Sequence, residues 1–498
     1  MRKLFRRPFT ALTCAIAVGL QACGEGLPPE QGEAPPAEAT TVEALAQPAA
    51  AQDAEPDILV ALQSIPGLTV VREAPSRFPG TRFFVLTFDQ PADHRNPQGQ
   101  RFQQRVTLLH RSTTAPMVLA STGYGIGTSA GQMEPTAILQ SNQLLVEHRF
   151  FGPSIPEAAN WEHLDLWQAA ADHHRIVSAF KPLYGAKWVS TGASKGGMTS
   201  VYHRALYPND VDATVAYVAP NSHGPMDPRY VHFLATVGDA ACRERIRDFQ
   251  RDALSRRDEL VPQVSADAEA QGAPLDFLGA DKAFEFMVLE LPFVFWQYSN
   301  PATCPSIPAP GAPAEEVLAT LSDVVGYFGF SDPSIQYYAP YYFQAGTQLG
   351  SYRSDERHLR GLVRYPRQYA PAAMVPFPIE PYGFDFWSIP LIEAWVKARG
   401  ERMLFVYGQL DPWSTNAFDV RERNDAYRFY VQGGNHGASI SRLPESVRAF
   451  AVERLTTWVG LQQPAEKGRA VLKAAQLAAG EEPVDTGVVD LRRPPPRE

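Results

Sequence analysis

The chain has 498 residues, 45% of them hydrophobic and 20% charged, enough for a large buried core and two to three domain-sized units. Its formal net charge of −9 gives no electrostatic reason to bind nucleic acid. The 44 prolines and 36 glycines imply many loops.

Residues 1–23 read as an export signal outside the fold. Met1 to Arg7 carries four basic residues, and Ala11 to Leu20 is an apolar run too short to span a membrane. Leu20-Gln21-Ala22-Cys23 then places a small residue before a cysteine, as in a bacterial lipoprotein signal with Cys23 as the lipidated residue. The alternative is an ordinary signal peptide cut nearby, with Cys23 incidental. Loss of residues 1–22 removes four bases and no acid, so −9 becomes −13. Residues 24–56 hold seven acids and no base and cannot bury enough apolar surface to fold; they read as a disordered acidic tether.

Residues 57–225 are expected to form the first part of an α/β core. Residues 81–89 and 103–110 read as strands joined by a turn-rich connection at 93–99. Short apolar runs follow at Met117–Ala120, Gln143–Val146 and Trp188–Thr191, with a helix over about 164–180 before the last. Alternating strand and helix points to a mostly parallel sheet covered by helices. Residues 226–395 change character: charged helical stretches such as 242–260 alternate with aromatic-rich ones around Phe293, Trp296 and Tyr298. This predicts a largely helical cap inserted into the sheet domain. The core resumes over 396–463, with strands at 402–407 and 426–431 and a helix over 443–459. Residues 464–498 end in Arg-Pro-Pro-Pro-Arg-Glu and read as a peripheral tail. In an oxidising exported setting Cys242 and Cys304 are expected to pair, the alternative being two buried thiols.

The chemistry centres on Gly192-Ala193-Ser194-Lys195-Gly196-Gly197, which follows an apolar strand and precedes a helical segment. In that context G-x-S-x-G denotes a nucleophile elbow. The glycines remove side chains that would collide with the flanking strand and helix, and the turn projects the Ser194 hydroxyl into a cleft. The Lys195 N–H then lies near a helix N-terminus, where it can face an oxyanion. A serine needs a base, and the base an orienting acid. Asp411 follows the strand ending at Tyr407, and His436 lies in the glycine-rich loop 433–437 after the next strand. The order Ser, Asp, His is that of the α/β-hydrolase triad. His94, His148 and His223 are rival bases, but they sit where the last strand cannot be. Asp419 and Asp425 are rival acids, but they fall in the intervening segment. The glycine-rich loop 121–127 follows the Met117–Ala120 strand and offers the second oxyanion donor, with Gly123, Tyr124 and Gly125 the candidates and Tyr124 the choice, the alternative being a merely structural loop. No H-E-x-x-H, Walker loop or dinucleotide fingerprint occurs, so no metal or cofactor is expected.

The stretches Gly192–Thr199, Glu147-His148-Arg149-Phe150-Phe151-Gly152, Phe88–His94 and Asp411-Pro412-Trp413 resemble the secreted bacterial prolyl tri/tetrapeptidyl aminopeptidases. The resemblance spans about residues 65–462. It is shared more distantly with lysosomal Pro-Xaa carboxypeptidases and dipeptidyl peptidases. It implies an α/β-hydrolase fold and a serine exopeptidase that takes peptide substrates and removes a short peptide from a free N-terminus, preferably after proline. An aromatic cap suits a proline ring, and a buried carboxylate suits a terminal ammonium. The substrate-binding candidates are Glu147, Glu290 and Trp296. An exported esterase with the same triad is the alternative, and a binding protein that keeps only the fold is a third.

Overall fold

The computed structural model describes residues 57–461 and 485–496. The expected signal, Cys23 and the tether lie outside the described residues. Nine strands form one sheet: β1 (Leu68–Ala74), β2 (Arg82–Pro91), β3 (Arg101–His110), β4 (Met117–Ser121), β5 (Asn142–Val146), β6 (Trp188–Ala193), β7 (Ala213–Tyr217), β8 (Met403–Gly408) and β9 (Tyr427–Val431). Their order is β1-β2-β3-β5-β4-β6-β7-β8-β9. β1, β2 and β3 pair antiparallel, β3 meets β5 antiparallel, and every pairing from β5 to β9 is parallel.

The central strands β4, β6, β7 and β8 are buried on both faces, as a helix-covered parallel sheet requires. Along β8 the side chains alternate. Leu404 and Val406 pack with Ala451 and Leu455 of the helix Glu445–Trp458, while Met403, Phe405 and Tyr407 pack with Val201 and Ile392. The helix Leu166–Phe180 buries Ile176, Val177 and Phe180 against Leu144 and Trp188. This is the α/β-hydrolase architecture, with β6, β8 and β9 all opening toward the same sheet edge.

Between β7 and β8 the chain is helical, and no named strand interrupts it. The helix Ala280–Tyr298 lies in the middle of this insertion and buries residues around most of its circumference. It packs on the helices Ala240–Ser255 and Arg257–Ala270 through Phe284, Met287, Val288 and Leu291. The buried Glu285 accepts hydrogen bonds from Arg257 and from the Arg364 and Tyr365 N–H groups. The helix Ser388–Arg399 straddles the boundary expected at 395 and packs on the sheet through Ile389, Ile392 and Val396. Among the described residues no helix is long and apolar enough to cross a membrane.

Cys242 and Cys304 form a disulfide that ties the helix Ala240–Ser255 to the segment after Tyr298. The two are 62 residues apart, and closing such a loop removes about 4 kcal/mol of denatured-state chain entropy. Replacing both cysteines by serine is expected to lower the urea midpoint by a corresponding amount, followed by tryptophan fluorescence. An unchanged midpoint, or free thiols titrated in the unreduced protein, would contradict the pairing.

Candidate active site

Ser194 sits between β6 and the helix Lys195–Leu206 at φ 54°, ψ −123°. A non-glycine residue rarely takes this backbone, and its cost of about 1–3 kcal/mol is tolerated where the surroundings fix it. Here the Ser194 N–H donates to the Tyr217 carbonyl at 2.9 Å and its carbonyl accepts from the Met198 N–H at 2.9 Å. Side chains at Gly192 and Gly196 would both run into the Ser121 carbonyl. The elbow therefore presses directly on the end of β4, and this close approach brings the loop 121–127 beside Ser194.

That loop is held from two sides. The buried Lys195 amine donates to the Gly123 carbonyl at 2.5 Å and lies 5.3 Å from the centre of the Tyr124 ring. Burial holds this amine well below the usual lysine range. Behind the loop, Glu147 accepts from the Ile126 N–H at 3.0 Å, from Arg105 at 3.4 Å and from the Ser154 hydroxyl at 2.6 Å. The Tyr124 N–H donates to the Thr122 hydroxyl at 3.1 Å, and the Tyr124 ring lines the cavity. The Lys195 N–H belongs to the first turn of its helix, where backbone donors lack intrahelical partners.

Asp411 follows β8 and is fully buried. One carboxylate oxygen accepts from the Trp413 N–H at 3.1 Å; the other is 2.8 Å from His436 Nδ1 and 3.3 Å from the Ser414 hydroxyl. A side chain at Gly408 would meet the Asn435 carbonyl, so the glycine lets the histidine loop close over the end of β8. The His436 N–H donates to the Gln297 carbonyl at 2.9 Å, and its ring lies edge-on to Tyr298 at 5.8 Å. Its Nε2 is buried and has no hydrogen-bond partner among the described residues. That is the nitrogen left to take a proton once Nδ1 faces Asp411. The rival groups are engaged elsewhere. His94 pairs with Asp172, His148 faces the Arg149 carbonyl, and His223 pairs with Glu393. Asp419 pairs with Lys397 and Arg421, and Asp425 with Arg454.

Ser194 opens into a cavity. Its walls come from the sheet loops, the helical insertion and the C-terminal segment. The helix Ala280–Tyr298 supplies Glu290, Phe293, Val294, Gln297 and Tyr298, which share one face by helical spacing. Phe293 and Tyr352 stack at 3.8 Å with Trp413 edge-on to Phe293 at 4.9 Å. Glu290 lies deep in the protein and keeps its accessible surface where it lines the cavity. Burial pushes its carboxyl up to about 7, against hydrogen bonds from the Tyr369 and Tyr352 hydroxyls and the charge of Arg492. Among the described residues no group of three or more His, Cys, Asp or Glu is placed to hold a metal ion.

Three expectations need correction. Glu147 does not line the cavity with Ser194: it is buried, and its oxygens accept from Ile126, Arg105 and Ser154. Trp296 lies on the opposite side of its helix from Glu290, packed against Gly238 in the core of the insertion. The tail is not peripheral throughout, since Val489, Leu491 and Arg492 line the cavity with Ser194. The apolar Val488, Val489 and Leu491, set in a Pro- and Arg-rich stretch, were the signal for it. The aromatic wall of Tyr352 and Tyr369 carried no motif that the sequence would disclose.

The sheet and elbow define an α/β hydrolase. Residues 51–495 match the family described as PS-10 peptidase S37, and the chain belongs to that family. It is a serine peptidase, and the family implies peptide substrates. It is 43% identical over 424 residues to the prolyl tri/tetrapeptidyl aminopeptidase of Streptomyces mobaraensis, covering 84% of this chain and 88% of that one. It is 24% identical to the prolyl carboxy peptidase like protein 5 of Caenorhabditis elegans, covering 64% and 77%. It is also similar to the solved structure of the proline iminopeptidase of Mycobacterium smegmatis, at 14% identity and a TM-score of 0.32, covering 75% of this chain and 98% of that one.

Substituting Glu147→Ala leaves buried donors unpaired behind the loop, which costs about 1–3 kcal/mol. The variant is expected to melt earlier and to lose kcat while keeping its ratio of free to blocked N-terminal substrates. A changed ratio at unchanged stability would return Glu147 to the substrate.

Proposed function

We propose that this protein is a serine exopeptidase that releases tri- or tetrapeptides from free N-termini, preferably after proline. Ser194 Oγ attacks the scissile carbonyl as His436 Nε2 takes its proton, and Asp411 orients the imidazole and stabilises its charged form. The Lys195 N–H faces the oxyanion, whereas the Tyr124 N–H expected to join it is taken by the Thr122 hydroxyl. Collapse breaks the C–N bond, and His436 returns the proton to the leaving amine. Water then adds to the acyl-enzyme with His436 again as base, and the short peptide leaves.

The observation that carries this reading is Glu290 in the cavity that holds Ser194. A buried carboxylate without a cation is costly, and an incoming ammonium would supply one through charge-assisted hydrogen bonds. An ester has no use for that group. The flat rings of Phe293, Tyr352 and Trp413 suit a proline ring. The relative's name points the same way. Export belongs to the same proposal, with Cys23 as the lipid attachment, and the disulfide suits an oxidising compartment.

The direct test is hydrolysis of an Ala-Ala-Pro chromogenic amide with a free N-terminus, beside its N-acylated twin and a p-nitrophenyl ester. We expect cleavage of the free amide, loss in Ser194→Ala, and a rise in KM of about 10²-fold in Glu290→Gln, in line with 2–5 kcal/mol for one partner of a buried charge pair. Ester cleavage without amide cleavage would replace the peptidase reading by an esterase.

The acidity of Glu290 sets a pH signature. Below about 7 the carboxyl is protonated and offers no charge to the ammonium; above it the carboxylate forms. The kcat/KM for the free amide is therefore expected to rise through pH 7, and to fall once the substrate amine deprotonates near pH 8. In Glu290→Gln the Glu290 contribution to the acidic limb should vanish. An identical acidic limb in the variant would remove Glu290 from substrate binding.

A further inference from the structure

Residues 485–496 cross from the sheet to the helical insertion over the cavity. At the sheet end the Asp485 carbonyl accepts from the Glu134 N–H at 3.0 Å, Gly487 lies against Met133, and Val488 packs with the sheet core. At the insertion end Arg492 donates to the Val324 carbonyl at 3.1 Å, and the Leu491 and Arg492 carbonyls lie against Gly329 and Gly326. Its guanidinium sits 4.2 Å over the Tyr298 ring, whose other neighbour is His436. Asp490 clamps Arg492 with contacts of 2.7 and 2.9 Å, so neither charge is left for a ligand. Between the two anchors Val489 and Leu491 pack with Tyr124 and Tyr338 and form part of the cavity wall.

We propose that this strap is a specificity element: Val489 and Leu491 close the cavity and thereby limit the length of the peptide that Ser194 releases. The inference rests on the exopeptidase reading above. The Val489 and Leu491 side chains stand on the wall of the cavity that Ser194 lines, together with Tyr298 and Tyr341, so they bound the space that a peptide beside the serine can occupy. The strap is anchored by a backbone hydrogen bond at the sheet end and by the Arg492 guanidinium at the insertion end, and it presents apolar side chains, so it acts as a fixed wall rather than a ligand. A longer N-terminal segment could be housed only by displacing it.

The test uses the full-length protein and free-N-terminal amides with proline at the cleavage site, tripeptidyl against hexapeptidyl. In Val489→Gly/Leu491→Gly the ratio of kcat/KM for the longer to the shorter substrate is expected to rise about tenfold, the scale on which a shaped apolar wall discriminates. Mass spectrometry of products would show longer peptides released. Should that variant not fold, Arg492→Ala frees the insertion-end anchor and the same ratio is read. An unchanged ratio in a variant that melts like the parent overturns the strap as a length determinant while leaving the exopeptidase intact. A parent enzyme that cleaves neither amide overturns both readings.

Discussion

A serine held at positive φ, between two glycines that have no room for a Cβ against the neighbouring loop, is the constraint on which the site depends. Because Gly192 and Gly196 touch the end of β4, the elbow and the loop 121–127 form one rigid unit. Lys195 pins that loop through the Gly123 carbonyl from the front, and Glu147 pins it through the Ile126 N–H from behind. Both are buried and both are displaced from their ordinary acidity by burial. Charged side chains are thus used as struts, because they can satisfy loop backbone groups that apolar residues would leave unpaired.

The other half of the site is built on the far strands. Asp411 is fixed by its own turn, through the Trp413 N–H and the Ser414 hydroxyl, before it meets His436. The same turn puts Trp413 beside Phe293 and Tyr352, so Asp411, the proposed triad acid, and the aromatic wall are set by one short segment. The insertion contributes a carboxylate whose burial raises it into the neutral range. Two carboxylates therefore sit in different surroundings: Asp411 is wrapped in donors beside a histidine, and Glu290 lines the cavity among tyrosines.

The sequence disclosed what local sterics dictate. The elbow, the Asp411 turn and the His436 loop each need glycine or proline at fixed offsets, and those offsets are visible. Buried strands such as β6 and β8 read as apolar runs. β1 did not, because it is a half-exposed edge strand with a register shift between Val70 and Arg72. β7 did not stand out either, because two of its five residues, Ala213 and Ala216, are alanines and a third is Thr214. Glu147 and Glu290 both sit among apolar residues, and local sequence does not say which buried carboxylate faces protein and which faces a cavity. Helical spacing from Glu290 would have selected Phe293, Gln297 and Tyr298 over Trp296. The C-terminal strap was hidden by its composition, since three apolar residues among prolines and arginines are a weak signal whose meaning comes from a partner surface far away in the chain.

The histidine loop is held by the insertion itself: the His436 N–H donates to the Gln297 carbonyl, and the Asn435 side-chain amide donates to the Tyr298 carbonyl at 3.0 Å. The end of the helix Ala280–Tyr298 thus serves as the mount for His436, the proposed base. The insertion is therefore not a detachable module. Grafting another helical insertion between β7 and β8 would carry away the seat of the histidine along with the old pocket, so on the proposed mechanism substrate range and proton transfer change together.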